Sequence, residues 1–300
     1  MTLAAPPIPA YRPFAAEVTR VQRLTPSFLR VTLTGPAFGD LAPNGWDQRI
    51  KVLLPTAERG LCDCPRGEDW YAEWRALPVA HRNPMRTYTV RAARPELREI
   101  DVDFVLHGAT GPASAWAESA ATGDEVVLIG PNAAFPGPTG GFEWRPPADA
   151  ACLLIAGDET AVPAVCAIVE ALPAGRPARV LLEVPEAGDV LPLVARDGVE
   201  VTWLPRRPAA AARGALLTAA VVAAVRDLPR RSAPGEAPPE DDADVLWDVP
   251  AESSDASLYA WLAGEAGVVT ALRRRLVREL GLDRGSIAFM GYWREGRSGD

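Results

Sequence analysis

The chain has 300 residues, 48% of them hydrophobic, and a formal charge of -8 at pH 7. That is enough apolar surface for one large domain or two ordinary ones, and the acidic balance argues against a general nucleic-acid role while leaving room for a local basic pocket. No basic, apolar, cleavable leader opens the sequence and no apolar run reaches membrane-spanning length, so the expected setting is cytoplasmic, with no integral membrane segment.

Residues 1–10 are proline-rich and read as a frayed end. From residue 14 to about 130 apolar and polar residues alternate. Leu29, Val31 and Leu33 alternate with Arg30, Thr32 and Thr34. Ile50, Val52 and Leu54 repeat the pattern around Lys51, and Val102, Phe104 and Leu106 do so beside Asp101 and Asp103. A period of two is that of half-buried strands, and several such strands joined by Gly/Pro turns predict a small antiparallel barrel. A short helix over residues 113–120 interrupts the strands, and residues 124–129 form the last of them. Residues 57–82 fit no period and carry Trp70, Tyr71 and Trp74. They read as a loop with a short helix, either a packed surface excursion or part of a pocket rim.

Residues 136–149 are rich in Pro and Gly and predict a linker between a domain over 10–135 and a second over 150–297. Beyond it strand, turn and helix alternate. Strands are expected at 151–156, 178–184, 199–204, 257–263 and 286–290, with helices running from Thr160 to about Ala171, over 213–226 and over 267–280. This order predicts a mostly parallel sheet covered on both faces. Residues 229–244 mix Arg, Pro, Ser and acids and read as a flexible excursion without a catalytic role.

Four cysteines do not describe a secreted disulfide scaffold. Cys152 and Cys166 sit among apolar residues and are expected in the core. Cys62 and Cys64 lack a second ligand pair, and the chain's histidines are His81 and His107, so no metal site is expected.

The most informative stretch is Arg86-Thr87-Tyr88-Thr89-Val90-Arg91, followed by His107-Gly108 and Gly111-Pro112-Ala113-Ser114-Ala115-Trp116. An aromatic and arginines on a strand, then a Gly/Pro turn into a helix, suit a planar cofactor carrying a pyrophosphate and point to a flavin enzyme. Tyr88 could stack on a flavin ring, Thr89 could bond its edge, and Arg86 could pair with the pyrophosphate. The competing reading is an ordinary strand with solvated arginines. His107 suits a cofactor contact or a structural role equally. Ser114 and the amides near Ala113 stand where a helix N-terminus holds phosphate, while Trp116 either covers the dinucleotide or packs inward.

Gly157-Asp158-Glu159-Thr160 follows the first parallel strand, and Gly264-Glu265 closes a later one. Ligands of open α/β sheets bind at such strand ends, although Thr160 could equally be a plain helix cap. The doublet Arg206-Arg207 beyond Leu204 could hold the extra phosphate of NADPH or lie solvated. In the last helix Val268, Leu272, Leu276 and Leu280 make an apolar stripe. Arg273, Arg274, Arg275 and Arg278 occupy the other faces, as a solvated surface or an attractor for an anionic substrate. Tyr292 and Trp293 are expected to dock against a cofactor cleft, because exposed tails rarely need adjacent large aromatics.

Taken together and in order, these segments resemble the siderophore-interacting proteins, the ferric-siderophore reductases among the ferredoxin-reductase-like flavoproteins. Further pieces of the likeness are Asp103-Phe104-Val105-Leu106-His107-Gly108, Gly157-Asp158-Glu159-Thr160-Ala161-Val162-Pro163-Ala164, Ala263-Gly264-Glu265 and Gly291-Tyr292-Trp293-Arg294. The resemblance implies a six-stranded antiparallel Greek-key barrel holding FAD, followed by a ferredoxin-reductase-like parallel-sheet domain for NAD(P)H. It places flavin contacts at Arg86, Thr87, Tyr88, Thr89, Val90, His107, Gly108, Gly111, Pro112, Ala113, Ser114 and Trp116. Asp158 and Thr160 lie beside the ring, and Tyr292 and Trp293 near the flavin or the substrate opening. Gly157, Glu159, Arg206, Arg207, Gly264 and Glu265 are the candidates for NADH or NADPH.

The implied chemistry needs no acid/base pair and no nucleophile: hydride passes from NAD(P)H to flavin, and single electrons pass on to chelated Fe(III). Fe(II) binds hard siderophore oxygens less strongly, so reduction promotes release. The expected small-molecule substrate is a ferric siderophore, and a reduced ferredoxin-type protein is a second conceivable electron donor. The competing functions are another NAD(P)H–flavin oxidoreductase, with a quinone, free flavin or protein acceptor, and a siderophore carrier without catalysis.

Overall fold

A computed structural model describes residues 8–106, 111–228, 247–250 and 257–296. They form two compact units that divide between Phe142 and Glu143, with Thr25–Ser27 grouped with the second.

The first unit holds β1 (Tyr11–Arg23), β2 (Phe28–Thr34), β3 (Arg49–Leu53), α1 (Trp70–Ala76), β4 (Met85–Thr89), β5 (Ala92–Arg94), β6 (Glu99–Val105), α2 (Pro112–Ser119) and β7 (Glu125–Pro131). The strands make one antiparallel sheet in the order β4-β3-β7-β1-β2-β6-β5. Only Val90 and Arg91 separate β4 from β5. Val90 N donates to Gln48 O at 2.8 Å on one side, and Arg91 N to Asp101 O at 2.8 Å on the other. The two edges of the sheet are therefore consecutive parts of one bent segment, and counting β4 and β5 as one strand gives the six expected. Alternation sets the faces: Val31, Leu33, Ile50, Val52, Val102 and Phe104 are buried in one apolar cluster.

The second unit holds β8 (Cys152–Gly157), α3 (Val162–Ala171), β9 (Ala178–Val184), β10 (Val199–Pro205), α4 (Ala215–Asp227), β11 (Trp247–Asp248), β12 (Leu258–Glu265), α5 (Ala266–Arg273) and β13 (Ile287–Trp293). The sheet order is β10-β9-β8-β12-β13-β11, parallel throughout except for β11. Strands β8 and β12 are buried along their whole length, as expected where parallel strands are covered. Leu217 and Val221 of α4, with Val269 and Leu272 of α5, pack with Leu154 and Leu262 of the sheet. Among the described residues no helix is long and apolar enough to cross a membrane.

Several sequence expectations need correction. The last helix ends at Arg273 and continues as a π-helical turn over Arg274–Glu279. Arg273 is buried, not solvated, with Nε 2.7 Å from Asp248 Oδ2. Its partner lies on β11, a two-residue strand too short to show any period. The final strand runs on to Trp293, past its expected end at residue 290, so Tyr292 and Trp293 are strand residues. The division between the units falls within the expected 136–149 linker, and each side of it is anchored to its own unit. Gly141 O accepts from Arg49 N at 2.8 Å, whereas Trp144 is 6% exposed and meets Tyr259 edge-on with centroids 5.6 Å apart. Residues 229–244 lie outside the described residues.

Candidate functional site

In the first unit, register splits the Arg86 motif between two faces. Tyr88 pairs with Ile50 and Arg86 with Val52, whereas Thr87 pairs with Lys51 and Thr89 with Arg49. Facing partners project to the same side of a sheet, so Tyr88 and Arg86 share the side of the buried Ile50 and Val52. Tyr88 packs on Phe104 of β6 with centroids 4.3 Å apart, and Phe104 meets Trp116 of α2 at 5.4 Å. Three aromatics from two strands and a helix thus form one shelf. Burial pushes the Tyr88 phenol well above its ordinary pKa, so it stays neutral. Val90 is a core residue, 9% exposed.

Two features of this shelf fit a flavin with its pyrophosphate. Among the described residues Arg86 meets no carboxylate; its Nη1 donates to Met85 O at 2.9 Å, which leaves most of the guanidinium fork for an anion. Helix α2 begins at Pro112 after an extended Gly111, and among the described residues no side chain caps it, so the amides of its first turn are available to phosphate oxygens. Ser114 Oγ donates to Val105 O at 3.4 Å, joining this turn to β6. His107 and Gly108 lie outside the described residues.

On the other face Lys51, the chain's single lysine, lies two residues from Arg49. Its Nζ donates to Thr87 Oγ1 at 2.8 Å. Although the side chain reaches solvent, desolvation of the ammonium, and then the Arg49 charge, lower its pKa. Sequence reading passed over Lys51, yet one lysine among so many arginines was a signal.

In the second unit, the turn after β8 makes Asp158 a hub. Its carboxylate accepts from Thr160 N at 2.9 Å, Glu265 N at 2.8 Å and Trp293 Nε1 at 3.0 Å. It also accepts from the Thr160 hydroxyl. Three chain segments therefore converge on one buried group. Burial, then the neighbouring Glu159 charge, pushes its pKa up to about 6 despite these donors. Gly157 and Gly264 are required by contact: a Cβ on Gly157 would stand 2.5 Å from Ala161 Cβ, and one on Gly264 2.8 Å from the Asp158 carboxylate. Thr160 bonds back to Asp158 and does not cap α3, whose N-cap position is Ala161. Glu265 does act as a cap, accepting from Val268 N at 2.9 Å.

Glu159 is fully buried and takes Arg206 bidentately, at 2.7 and 2.9 Å, together with Arg213. Burial raises its pKa, but the two arginines outweigh burial and leave it below the ordinary value. Arg206 also reaches Glu183 at 3.2 Å. Glu183 in turn accepts from Gly214 N at 2.7 Å and Leu217 N at 2.8 Å, filling the N-terminus of α4. The arginine doublet is thus divided: Arg206 is buried between carboxylates, and Arg207 is exposed beside Glu186. Arg213, which sequence reading did not single out, has its guanidinium carbon 4.7 Å from the Trp293 ring centroid. Tyr292 stacks on Trp247, with centroids 5.9 Å apart.

This curled antiparallel sheet followed by a mostly parallel sheet has the fold of ferredoxin reductases. With the ferredoxin reductase of carbazole 1,9a-dioxygenase the chain superposes at a TM-score of 0.56 and 18% identity, covering 96% of this chain and 71% of that one. Residues 17–135 match the siderophore-interacting FAD-binding domain, and residues 150–296 match the siderophore-interacting protein domain. The chain belongs to the siderophore-interacting protein family. It is 31% identical over 286 residues to the ferric vibriobactin reductase ViuB of Vibrio cholerae O1 El Tor, covering 95% of this chain and 91% of that protein. A siderophore utilization protein from T. fusca is similar in structure, with a TM-score of 0.72 and 30% identity over 96% of this chain and 95% of that one.

Proposed function

We propose that this protein is a FAD-dependent reductase that draws electrons from NAD(P)H and reduces the Fe(III) of a ferric siderophore to Fe(II) in the cytoplasm. The observation that carries the reading is the likeness to a ferric vibriobactin reductase over nearly the full length of both chains. The barrel supports it with the Tyr88–Phe104–Trp116 shelf, the open fork of Arg86 and the uncapped start of α2. When bound there, FAD supplies the conversion of a two-electron hydride into single electrons, so one hydride serves two ferric chelates.

The protein's own part is binding and orientation. Arg86 and the first turn of α2 hold phosphate, and the aromatic shelf supports the ring. Arg49 and Lys51 offer positive charge to an anionic chelate from one face of β3. The turn from Gly157 to Thr160 and the Gly264-Glu265 end of β12 lie at carboxyl ends of parallel strands, where a dinucleotide donor binds in such sheets.

An anaerobic visible spectrum tests the whole path. Flavin bands should bleach with NADH or NADPH and return as a ferric catecholate or hydroxamate is added, with Fe(II) trapped by a chelating dye. Flavin that stays oxidised with both nucleotides would overturn the donor half and put a reduced ferredoxin-type protein in its place. A protein that takes up no flavin would overturn the reading entirely.

A further inference from the structure

Strands β9 and β10 end side by side. Arg206 N donates to Val184 O at 2.9 Å and Arg207 N to Pro185 O at 3.0 Å, so the two loops run together beyond the sheet. At the surface they carry Glu186 and Arg207, joined by a bond from Arg207 Nη1 to Glu186 Oε1. The arginine side chain is 74% exposed and the glutamate 32%. Glu186 is held in place by reciprocal bonds with Asp189, which is fully buried. Glu186 N donates to Asp189 Oδ2 at 3.0 Å, and the Glu186 carboxylate accepts from the Asp189 amide.

We propose that Glu186 and Arg207 read the 2′-position of the donor's adenosine ribose and make NADH, not NADPH, the preferred donor; the proposal rests on the NAD(P)H reading above. In open α/β sheets a carboxylate beyond the strand ends accepts from the 2′-hydroxyl of NADH, whereas an arginine nearby accommodates the 2′-phosphate of NADPH. Both residue types stand here, and the way each is held decides between them. Arg206 is committed to Glu159 and Glu183 in the interior, and drawing it out would leave those carboxylates short of a partner. A 2′-phosphate therefore has Arg207, already neutralised by Glu186. It gains one cation and is held beside one anion that the bonds to Asp189 keep in place. A 2′-hydroxyl breaks nothing. A carboxylate has about four acceptor sites, and those not used by Arg207 and the Asp189 amide can take the hydroxyl proton. The pair thus selects NADH as much by rejecting phosphate as by accepting hydroxyl.

The test is calorimetric titration of the full-length protein with ADP-ribose and with 2′-phospho-ADP-ribose, which differ only in the group at issue. Wild type should bind ADP-ribose about ten-fold more tightly. Glu186→Gln keeps an acceptor for the Asp189 amide and removes the charge, so it should shift the ratio about ten-fold toward the phosphorylated ligand. Adding Arg207→Ala to it should cancel that shift, because the gain depends on the released guanidinium. Circular dichroism checks the fold of each variant, and rates of flavin bleaching by NADH and NADPH should follow the same order. A wild type that does not prefer ADP-ribose, or a Glu186→Gln ratio equal to that of wild type, would overturn the proposal while leaving the donor reading intact. A wild type that binds neither ligand, and whose flavin neither nucleotide bleaches, would overturn both. If Glu186→Gln does not fold, Arg207→Ala decides. It should leave ADP-ribose as in wild type and weaken the phosphorylated ligand further, and an unchanged ratio overturns the proposal.

Discussion

Trp293 donates its indole N–H to the buried carboxylate of Asp158 at 3.0 Å. The two residues are far apart in the chain, and the bond ties the end of β13 to the turn after β8. Trp293→Phe removes the donor and keeps an aromatic face for Arg213. Asp158 retains Thr160 and the Glu265 amide, so the loss is partial. Unfolding in urea should show a destabilisation of about 1–2 kcal/mol. A midpoint equal to wild type would show that the bond contributes nothing to stability.

Asp158 also gives the stability a pH signature opposite to that of Glu159, Asp101 and Asp248. Its pKa is raised from 3.8 to about 6, burial being the larger cause and Glu159 the second. Between those values the folded protein holds a proton that the unfolded chain has released. Its contribution is therefore full below the unfolded value, declines as pH rises toward about 6, and is level above that, a change on the order of 2–3 kcal/mol. Glu159, Asp101 and Asp248 have lowered values, so their contributions run the other way and fade as pH falls through the folded values. Denaturation of wild type and Asp158→Asn from pH 4 to 8 separates the two. The variant should lose the decline between about 4 and 6, and parallel curves would refute this assignment.

The barrel and the parallel sheet were readable because alternation and burial leave plain marks. Leu29, Val31 and Leu33 show a period of two, and β8 and residues 258–263 of β12 are unbroken apolar runs. The Arg86 motif could be found as a string, yet its division into two faces depends on pairing with β3, which no local pattern displays. Arg206 and Arg207 look alike in sequence. Their separation arises because Glu159 and Glu183, far away along the chain, both reach Arg206. Arg213 carried no local signal beyond its place before Gly214. The importance of that glycine follows from a φ of 76° and from Val268, whose methyl would stand 2.3 Å from an added Cβ.

Arg206→Met tests that separation. The substitution removes the bidentate partner of Glu159 and a partner of Glu183, leaving two carboxylates in the interior with reduced compensation. Such losses cost about 3–5 kcal/mol. Arg207→Ala, which breaks only an exposed pair with Glu186, should change stability by about 0–1 kcal/mol. Thermal melts of the two variants check the contrast, and similar losses for both would contradict the buried placement of Arg206.

The barrel offers the sharpest separation of cofactor binding from folding. Arg86 has no carboxylate partner among the described residues, so replacing it by Gln removes no ion pair from the folded protein. Stability without flavin should stay within about 0.5 kcal/mol of wild type, as for surface changes that break no special contact. Flavin retention should fall roughly ten- to a hundred-fold, the cost of a charge-assisted pair with phosphate. Phe104→Ala should behave differently, because it removes the ring between Tyr88 and Trp116. It should lower stability by about 3–5 kcal/mol as well as flavin content. The two quantities are read from flavin absorbance relative to protein absorbance and from urea unfolding of the flavin-free protein. Arg86→Gln with full flavin content would remove Arg86 from the phosphate site. Phe104→Ala with normal stability would show that the aromatic shelf does not hold the barrel's end together.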